Sequence, residues 1–186
     1  GGGTIEWVVL RAIPTATTPR FEEYILGTKN DSDAVAVQVY KNDTGWGTPL
    51  VVTSNAGAYR GFDIAYEKIS GDALIVYSNN SAYLKYRVWN STGWSVEKDV
   101  GNNQTSEPVK WVNLASRPGS DEIGLIFLGA STGENAAVSA MVWDGDKWIG
   151  EPANGFDTSP YIERSGTTPG NVETIFIAYE SQSGDL

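Results

Sequence analysis

Apolar and polar residues alternate in short runs along most of this chain, and each run ends in a cluster of turn formers. Ala34 to Tyr40 sets Val35, Val37 and Val39 against Ala36, Gln38 and Tyr40. That period of two predicts a strand. Thr4 to Ile13 and Phe21 to Lys29 are β-branched and apolar, which predicts two strands before it. Asn30-Asp-Ser-Asp33 reads as a turn, and Asn42-Asp-Thr-Gly45 closes a hairpin with Gly where a positive φ is needed. Trp46 to Thr53 completes a group of four strands.

The same order follows twice more. Gly61 to Glu67, Ala73 to Ser78, Tyr83 to Trp89 and Trp94 to Val100 predict a second group, with turns at Ser70-Gly-Asp72, Asn79-Asn-Ser81 and Asn90 to Gly93. Trp111 to Ser116, Ile123 to Leu128, Val138 to Trp143 and Trp148 onward predict a third, with turns at Pro118-Gly-Ser-Asp121 and Asp144-Gly-Asp146. No useful window carries a period of 3.6 residues, so no helix is expected.

The groups are copies of one another. Tyr86-Arg-Val-Trp-Asn-Ser-Thr-Gly-Trp94 is echoed by Val39-Tyr-Lys-Asn-Asp-Thr-Gly-Trp46 and by Met141-Val-Trp-Asp-Gly-Asp-Lys-Trp148. Trp46 and Trp94 are 48 residues apart, and Trp94 and Trp148 are 54 apart. Glu23 to Tyr40 aligns with Asp72 to Trp89 without a gap, and Trp7-Val-Val-Leu resembles Trp111-Val-Asn-Leu. Four antiparallel strands per unit of about 50 residues predict a single all-β repeat domain over 1–186 that is β-propeller-like, with a β-sandwich as the alternative. The units run approximately over 4–56, 57–104 and 105–155, with a partial unit over 156–186.

Ile177-Ala-Tyr-Glu-Ser-Gln-Ser-Gly-Asp-Leu186 copies Ile64-Ala-Tyr-Glu-Lys-Ile-Ser-Gly-Asp72 and the Leu74 that follows. The chain is therefore expected to stop as a fourth unit enters its second strand. It opens on Gly1-Gly2-Gly3 without Met, which reads as a processed or excised piece. An open sheet edge invites pairing. A longer parent or strand addition by another chain is the favoured completion, and residues 4–13 curling round to finish the last sheet is a third.

Composition narrows the function. The net charge is −10, which argues against nucleic acid and for solubility. There is no Cys and no His. That removes a disulfide framework, thiolate and imidazole metal ligands, and any Ser-His-Asp triad within the chain. No run of about 18 apolar residues predicts a membrane span. Asn30, Asn42, Asn79, Asn90 and Asn103 each open an Asn-X-Ser/Thr motif at a turn or loop. They are candidate glycosylation sites, which suits an extracellular or cell-surface location. Turn formation explains the same residues.

The Val88-Trp-Asn-Ser-Thr-Gly-Trp94 and Phe62-Asp-Ile-Ala-Tyr-Glu67 patterns resemble repeats of large extracellular proteins of bacteria and archaea. They are also similar to the blades of six-bladed fucose-binding lectins, where a Trp-Asn-Gly-X-X-Trp hairpin recurs. More distantly, the turn is similar to the Asp-box hairpin of sialidase-type propellers. The resemblance covers nearly the whole chain as a repeat and implies blade architecture, since its motifs serve turns and packing. The lectin likeness implies a sugar site where an aromatic stands beside Arg and Glu, here Arg60, Arg87, Trp94 and Glu97. Gln38 and Ala140 hold the places aligned with Arg87, so at most one such site is complete.

Other candidate chemistry competes with structure. Trp46, Trp94 and Trp148 can stack a sugar, but packing between units is the weightier role. Tyr66-Glu67 and Tyr179-Glu180 have the residue types of a sialidase nucleophile, and Arg11, Arg20, Arg60, Arg87, Arg117 and Arg164 are numerous enough to bind a carboxylate. A pair that recurs in register reads as a repeated strand rather than a catalytic centre. Asp31/Asp33, Asp121/Glu122 and Asp144/Asp146 offer oxygens suited to calcium, yet none matches a twelve-residue calcium loop. No cofactor is expected. The sequence points to a non-catalytic extracellular repeat module for adhesion, surface display or self-assembly, partnered by its own copies or by neighbouring repeats. A carbohydrate-binding, lectin-like propeller is the first alternative, and a fragment of a sialidase-type glycosidase the second.

Overall fold

The computed structural model describes residues 3–14, 23–81, 83–101, 108–129 and 138–149. Among them there is no helix, and every sheet pairing is antiparallel. Sheet I holds β1 (Ile5–Ala12), β2 (Glu23–Asn30), β3 (Val35–Lys41), β4 (Gly45–Trp46) and β5 (Leu50–Thr53). Sheet II holds β6 (Phe62–Tyr66), β7 (Ala73–Ser78), β8 (Leu84–Asn90), β9 (Gly93–Trp94) and β10 (Lys98–Asp99). Sheet III holds β11 (Val109–Ser116), β12 (Ile123–Gly129), β13 (Val138–Trp143) and β14 (Trp148–Ile149). Each sheet is a meander in which neighbours in sequence are neighbours in space.

The expected fourth strands, Trp46 to Thr53 and Trp94 to Val100, are each broken in two. Trp46 pairs with Tyr40 and Leu50 with Val37, so four steps on one strand oppose three on the other. Trp94 pairs with Trp89 and Lys98 with Tyr86, which is the same mismatch. The extra residue bulges out while the amide after each Trp turns back: Gly47 N donates to Val39 O and Ser95 N to Val88 O, both at 2.8 Å. Among the described residues, residues 4–13 contribute to sheet I. β1 pairs with β2 from Ile5↔Asn30 to Ala12↔Tyr24.

Alternation decides which side chains form the core. In β2 and β3, Ile25, Val35, Val37 and Val39 point to one face and are buried. They pack with Val9 against Phe62, Ile64, Ile75 and Tyr77 of sheet II. The alternate residues of sheet II, Leu74, Val76, Leu84 and Tyr86, pack the other way, against Val112, Leu114, Leu125, Phe127, Trp143 and Trp148. Sheet II is thus covered on both faces, which is why every residue of β6 and β7 is buried. Sheets I and II approach most closely at Gly27. A Cβ there would lie 2.7 Å from Ile64 Cδ1 and 2.8 Å from Phe62 Cε2.

The first strands of the three sheets lie next to one another. Arg11 Nε of β1 donates to Ile64 O of β6 at 2.9 Å. Val112 N of β11 donates to Arg60 O at 3.2 Å, ahead of β6. Trp7 and Trp111, from sheets I and III, meet edge to face with ring centroids 5.8 Å apart.

Candidate functional site

Three buried carboxylates tie the sheets together. Asp63, the second residue of β6, is fully buried. Its Oδ1 accepts from Arg11 Nη2 at 3.0 Å and its Oδ2 from Leu114 N at 2.9 Å, so one side chain touches sheets I and III. Arg60 Nη2 lies 3.3 Å from the same carboxylate. Burial raises the Asp63 pKa above its ordinary value; the two guanidiniums and the amides of Leu114 and Ile64 pull the other way and only partly offset it.

Glu23 and Glu67 stand at the same end of their sheets, one on each side of the hairpin between first and second strands. The register shows it: Ile13 N donates to Glu23 O and Glu67 N to Asp72 O. Both side chains are buried. Glu23 Oε1 accepts from Trp89 Nε1 at 2.7 Å and from Tyr66 Oη at 3.1 Å, joining sheet I to sheet II. Glu67 Oε1 accepts from Trp143 Nε1 at 2.7 Å, joining sheet II to sheet III, while Ser70 Oγ donates to its Oε2. Burial pushes the Glu67 pKa up; Ser70 and Trp143 work against that, and the charges of Asp121 and Asp72 reinforce it. Tyr66 and Glu67, adjacent in sequence, therefore point to carboxylate and donor partners on opposite sides of sheet II.

The residues expected to bind a sugar divide. Arg87, Trp94 and Glu97 come together at the outer end of sheet II. Arg87 Nη1 donates to Ser95 O at 2.7 Å, Tyr77 Oη donates to Glu97 Oε2 at 2.6 Å, and Trp94 packs on Trp89 at 5.3 Å. Burial, with Glu97 beside it, raises the Tyr77 pKa well above the ordinary phenol value, and nearby Arg87 lowers it in part. Arg60 is elsewhere, two strands away, with its guanidinium over Trp111 at 5.2 Å. The alignment also needs one correction. Arg87 faces Ile75 and Met141 faces Leu125, so Met141, not Ala140, holds the Arg87 position in sheet III. Gln38 does match Arg87 in role as well as place: its Nε2 donates to Gly47 O at 2.6 Å across the same bulge.

The remaining candidates have local partners. Asn30 Oδ1 accepts from Ala34 N at 2.9 Å, and Asn90 Oδ1 from Thr92 N at 2.9 Å. Asn79 Oδ1 accepts from Ser81 Oγ at 2.5 Å. Asn42 is an exposed turn residue, and Asn103 lies outside the described residues. Asp33 and Glu6 hold the buried ammonium of Lys29 at 3.1 and 2.7 Å. Asp121 Oδ1 accepts from Ile69 N and Ser70 N at 2.7 and 2.9 Å, Glu122 pairs with Arg117, and Asp144 Oδ1 takes the amides of Asp146 and Lys147. Among the described residues no group of three or more acidic side chains is placed to hold a metal ion. An open cavity of about 230 Å³ sits between the first strands, lined in part by Arg11, Tyr66, Lys68 and Ser116.

Among the described residues, the second face of sheet I carries a group of exposed apolar side chains. Paired residues share a face, so Val8, Leu10 and Ala12 of β1 stand in rows with Tyr24, Leu26 and Thr28, then Ala36, Gln38 and Tyr40, then Trp46 and Val51. Val8 is 61% exposed, Leu10 53%, Val51 57% and Trp46 49%. Tyr24, Tyr40 and Trp46 form an aromatic row with centroids 5.9 and 5.4 Å apart. In sheets II and III the corresponding rows, from Phe62, Ile64 and Trp89 in one and from Val112, Leu114 and Trp143 in the other, are packed against the sheet before.

Two of these features are absent from the expectations. Asp63 lies inside an apolar run, where a lone carboxylate signals a buried partner, whereas Glu23 follows Glu22 at the head of its strand and carries no such signal. The outer face of sheet I carries alternation like any other strand group, so its lack of a cover among the described residues is visible only in three dimensions. Comparison with known proteins adds no family: no family model, no curated protein and no solved structure matches the chain.

Proposed function

We propose that this chain is a non-catalytic, extracellular module of propeller-type four-stranded units, and that it works by associating with its own copies or with neighbouring units in adhesion, surface display or self-assembly. One observation carries the reading. Among the described residues the outer face of sheet I is apolar and open, while the matching faces of sheets II and III are buried by a preceding sheet. A contiguous apolar patch on a chain of net charge −10 marks an interaction surface rather than poor solubility. The propeller reading draws support from the common meander of the three sheets and from the adjacency of β1, β6 and β11. An extracellular setting suits the Asn-X-Ser/Thr motifs at turns. Light scattering after size exclusion, over a range of concentrations, tests association. Oligomers that grow with concentration are expected, and a strict monomer at high concentration overturns the reading.

The row Tyr24–Tyr40–Trp46 favours a second reading, carbohydrate binding, because exposed aromatic rings stack on sugar faces. A glycan array probes it directly. Binding that Trp46→Ala abolishes supports a lectin-like role; an array without signal removes it.

A further inference from the structure

The cavity between the first strands draws one polar side chain from each sheet: Arg11 near the end of β1, Lys68 just after β6 and Ser116 at the end of β11. Two of the three are cations, and no acidic residue lines the cavity. Arg11 is fixed along one edge. Its Nε donates to Ile64 O at 2.9 Å and its Nη2 to Asp63 Oδ1 at 3.0 Å. Its Nη1 has only a 3.4 Å contact with Leu10 O, and the side chain stays 39% exposed. Asp63 answers Arg60 as well as Arg11, so one carboxylate serves two guanidiniums. The backbone of Lys68 is tied to sheet III, its N donating to Ser120 O at 3.1 Å, and its ammonium has no acidic partner among the described residues. Glu23 and Glu67, buried at the same end of their sheets, face the interfaces between sheets, where Trp89 and Trp143 hold them. A local excess of positive charge in a chain of net charge −10 suits an anion.

Ser116 adds a second requirement. Its hydroxyl donates to Tyr66 O at 2.6 Å, so its one proton is used and its oxygen is left to accept. A ligand that meets Ser116 therefore brings a donor beside its anionic group. Ala65 and Leu114, both buried, supply apolar wall. The volume of about 230 Å³ falls short of the about 300–1,000 Å³ of sites for drug-sized molecules, so the occupant is small or is the end of a chain.

We infer that this cavity binds a hydroxy acid. Its carboxylate lies between Arg11 Nη1 and Lys68 Nζ, two single charges matched to two oxygens, and a hydroxyl donates to Ser116 Oγ. The role is binding alone. The inference goes beyond the association reading and fails separately from it, because the cavity and the outer face of sheet I use different side chains.

The test is titration of the isotope-labelled full chain, followed by amide chemical shifts, with three probes of equal carbon count. Gluconate has the charge and the hydroxyls, sorbitol the hydroxyls alone, and hexanoate the charge alone. Gluconate should give saturable shifts at Arg11, Ala65 and Ser116, hexanoate should bind several-fold more weakly, and sorbitol should not bind. Lys68→Met should weaken gluconate by about tenfold and Lys68→Arg should restore most of the loss. Folding should survive both, since the Lys68 ammonium has no acidic partner among the described residues, and circular dichroism checks it. Ser116→Ala should bring gluconate down to the level of hexanoate and leave hexanoate unchanged. Trigalacturonate separates two sources of the same chemistry: binding tighter than gluconate assigns the site to a chain end, equal or weaker binding to a free acid, and either supports the site. The inference is overturned if gluconate gives no saturable shift, if sorbitol binds as well as gluconate, or if folded Lys68→Met binds gluconate as the wild type does. A chain that binds gluconate as a strict monomer loses the association reading and keeps this one.

Discussion

The indole nitrogen of Trp143 lies 2.7 Å from Glu67 Oε1, and both residues are buried between sheets II and III. A donor and an acceptor out of water make an asymmetric pair. Keeping both adds little stability, whereas removing one leaves the other unsatisfied.

Glu67→Ala should therefore cost about 1–3 kcal/mol, chiefly by stranding Trp143 Nε1. Glu67→Gln keeps an oxygen for that nitrogen and should cost clearly less. Glu23→Ala should behave like Glu67→Ala, since Trp89 and Tyr66 both donate to Glu23. Urea unfolding of the four proteins measures this. Equal losses for Gln and Ala at position 67 would show that charge, not the acceptor, matters there.

The two shifted carboxylates set a direction for pH. Asp63 and Glu67 both have pKa values raised by burial above 3.8 and 4.5. A raised value means that the folded chain holds its proton more tightly than the unfolded chain. Their contribution is fully present below the unfolded values and is lost as pH rises through the folded ones. Thermal melts should thus show stability increasing as pH falls toward the ordinary values of 4.5 and 3.8. Asp144 opposes this only further down, because its lowered pKa places its loss below 3.8. The double variant Asp63→Asn/Glu67→Gln should flatten the slope. Lys29 acts at the other limit: burial pulls its pKa down, but Glu6 and Asp33 raise it beyond that, so its contribution fades as pH climbs past 10.5.

Strand order was legible in the sequence because turn formers recur at short intervals and Val35, Val37 and Val39 alternate cleanly. The bulge after Trp46 and Trp94 was not, since it adds one residue without changing polarity. The sugar-site grouping of Arg60 with Arg87 used proximity to the repeat motif, and sequence distance says nothing about which end of a sheet a residue occupies. Tyr66 ends β6 and Glu67 follows it, while the matching Tyr179 and Glu180 lie outside the described residues. The separate partners of Tyr66 and Glu67, Glu23 on one side and Trp143 on the other, follow from sheet II being covered on both faces, which alternation within one strand does not reveal.

Asp63→Ala tests the meeting of the first strands. It removes the acceptor of Leu114 N and the counterion of Arg11 and Arg60 in one step. A loss of about 3 kcal/mol is expected, tempered because Arg11 is partly exposed. Asp63→Asn keeps an oxygen for Leu114 and should recover part of it. Chemical denaturation decides between them.

Gly27→Ala should destabilise by about 1–3 kcal/mol through overpacking. The new methyl meets Phe62 and Ile64, which are fully buried and leave it no open side. Adding Ile64→Val should return part of the loss, since it removes the Cδ1 atom that lies 2.7 Å from the methyl position. An unchanged melting temperature for Gly27→Ala would mean that sheets I and II slide apart at little cost.

Arg87→Gln separates a structural role from a sugar-binding one. Gln38 spans the matching bulge in sheet I with a bond to Gly47 O, so Gln at position 87 has the reach to take over the bond to Ser95 O. The change also removes Arg87 Nε, which is buried without a partner among the described residues. Stability should therefore stay within about 0.5 kcal/mol of the wild type. Met141 at the same place in sheet III predicts that Arg87→Met is tolerated as well, at the cost of the bond to Ser95 O and of the positive charge beside Tyr77. If the arginine instead grips a ligand, Arg87→Gln leaves the melting curve alone and abolishes glycan-array binding. Measuring both on one preparation tells whether the guanidinium serves only its own hairpin.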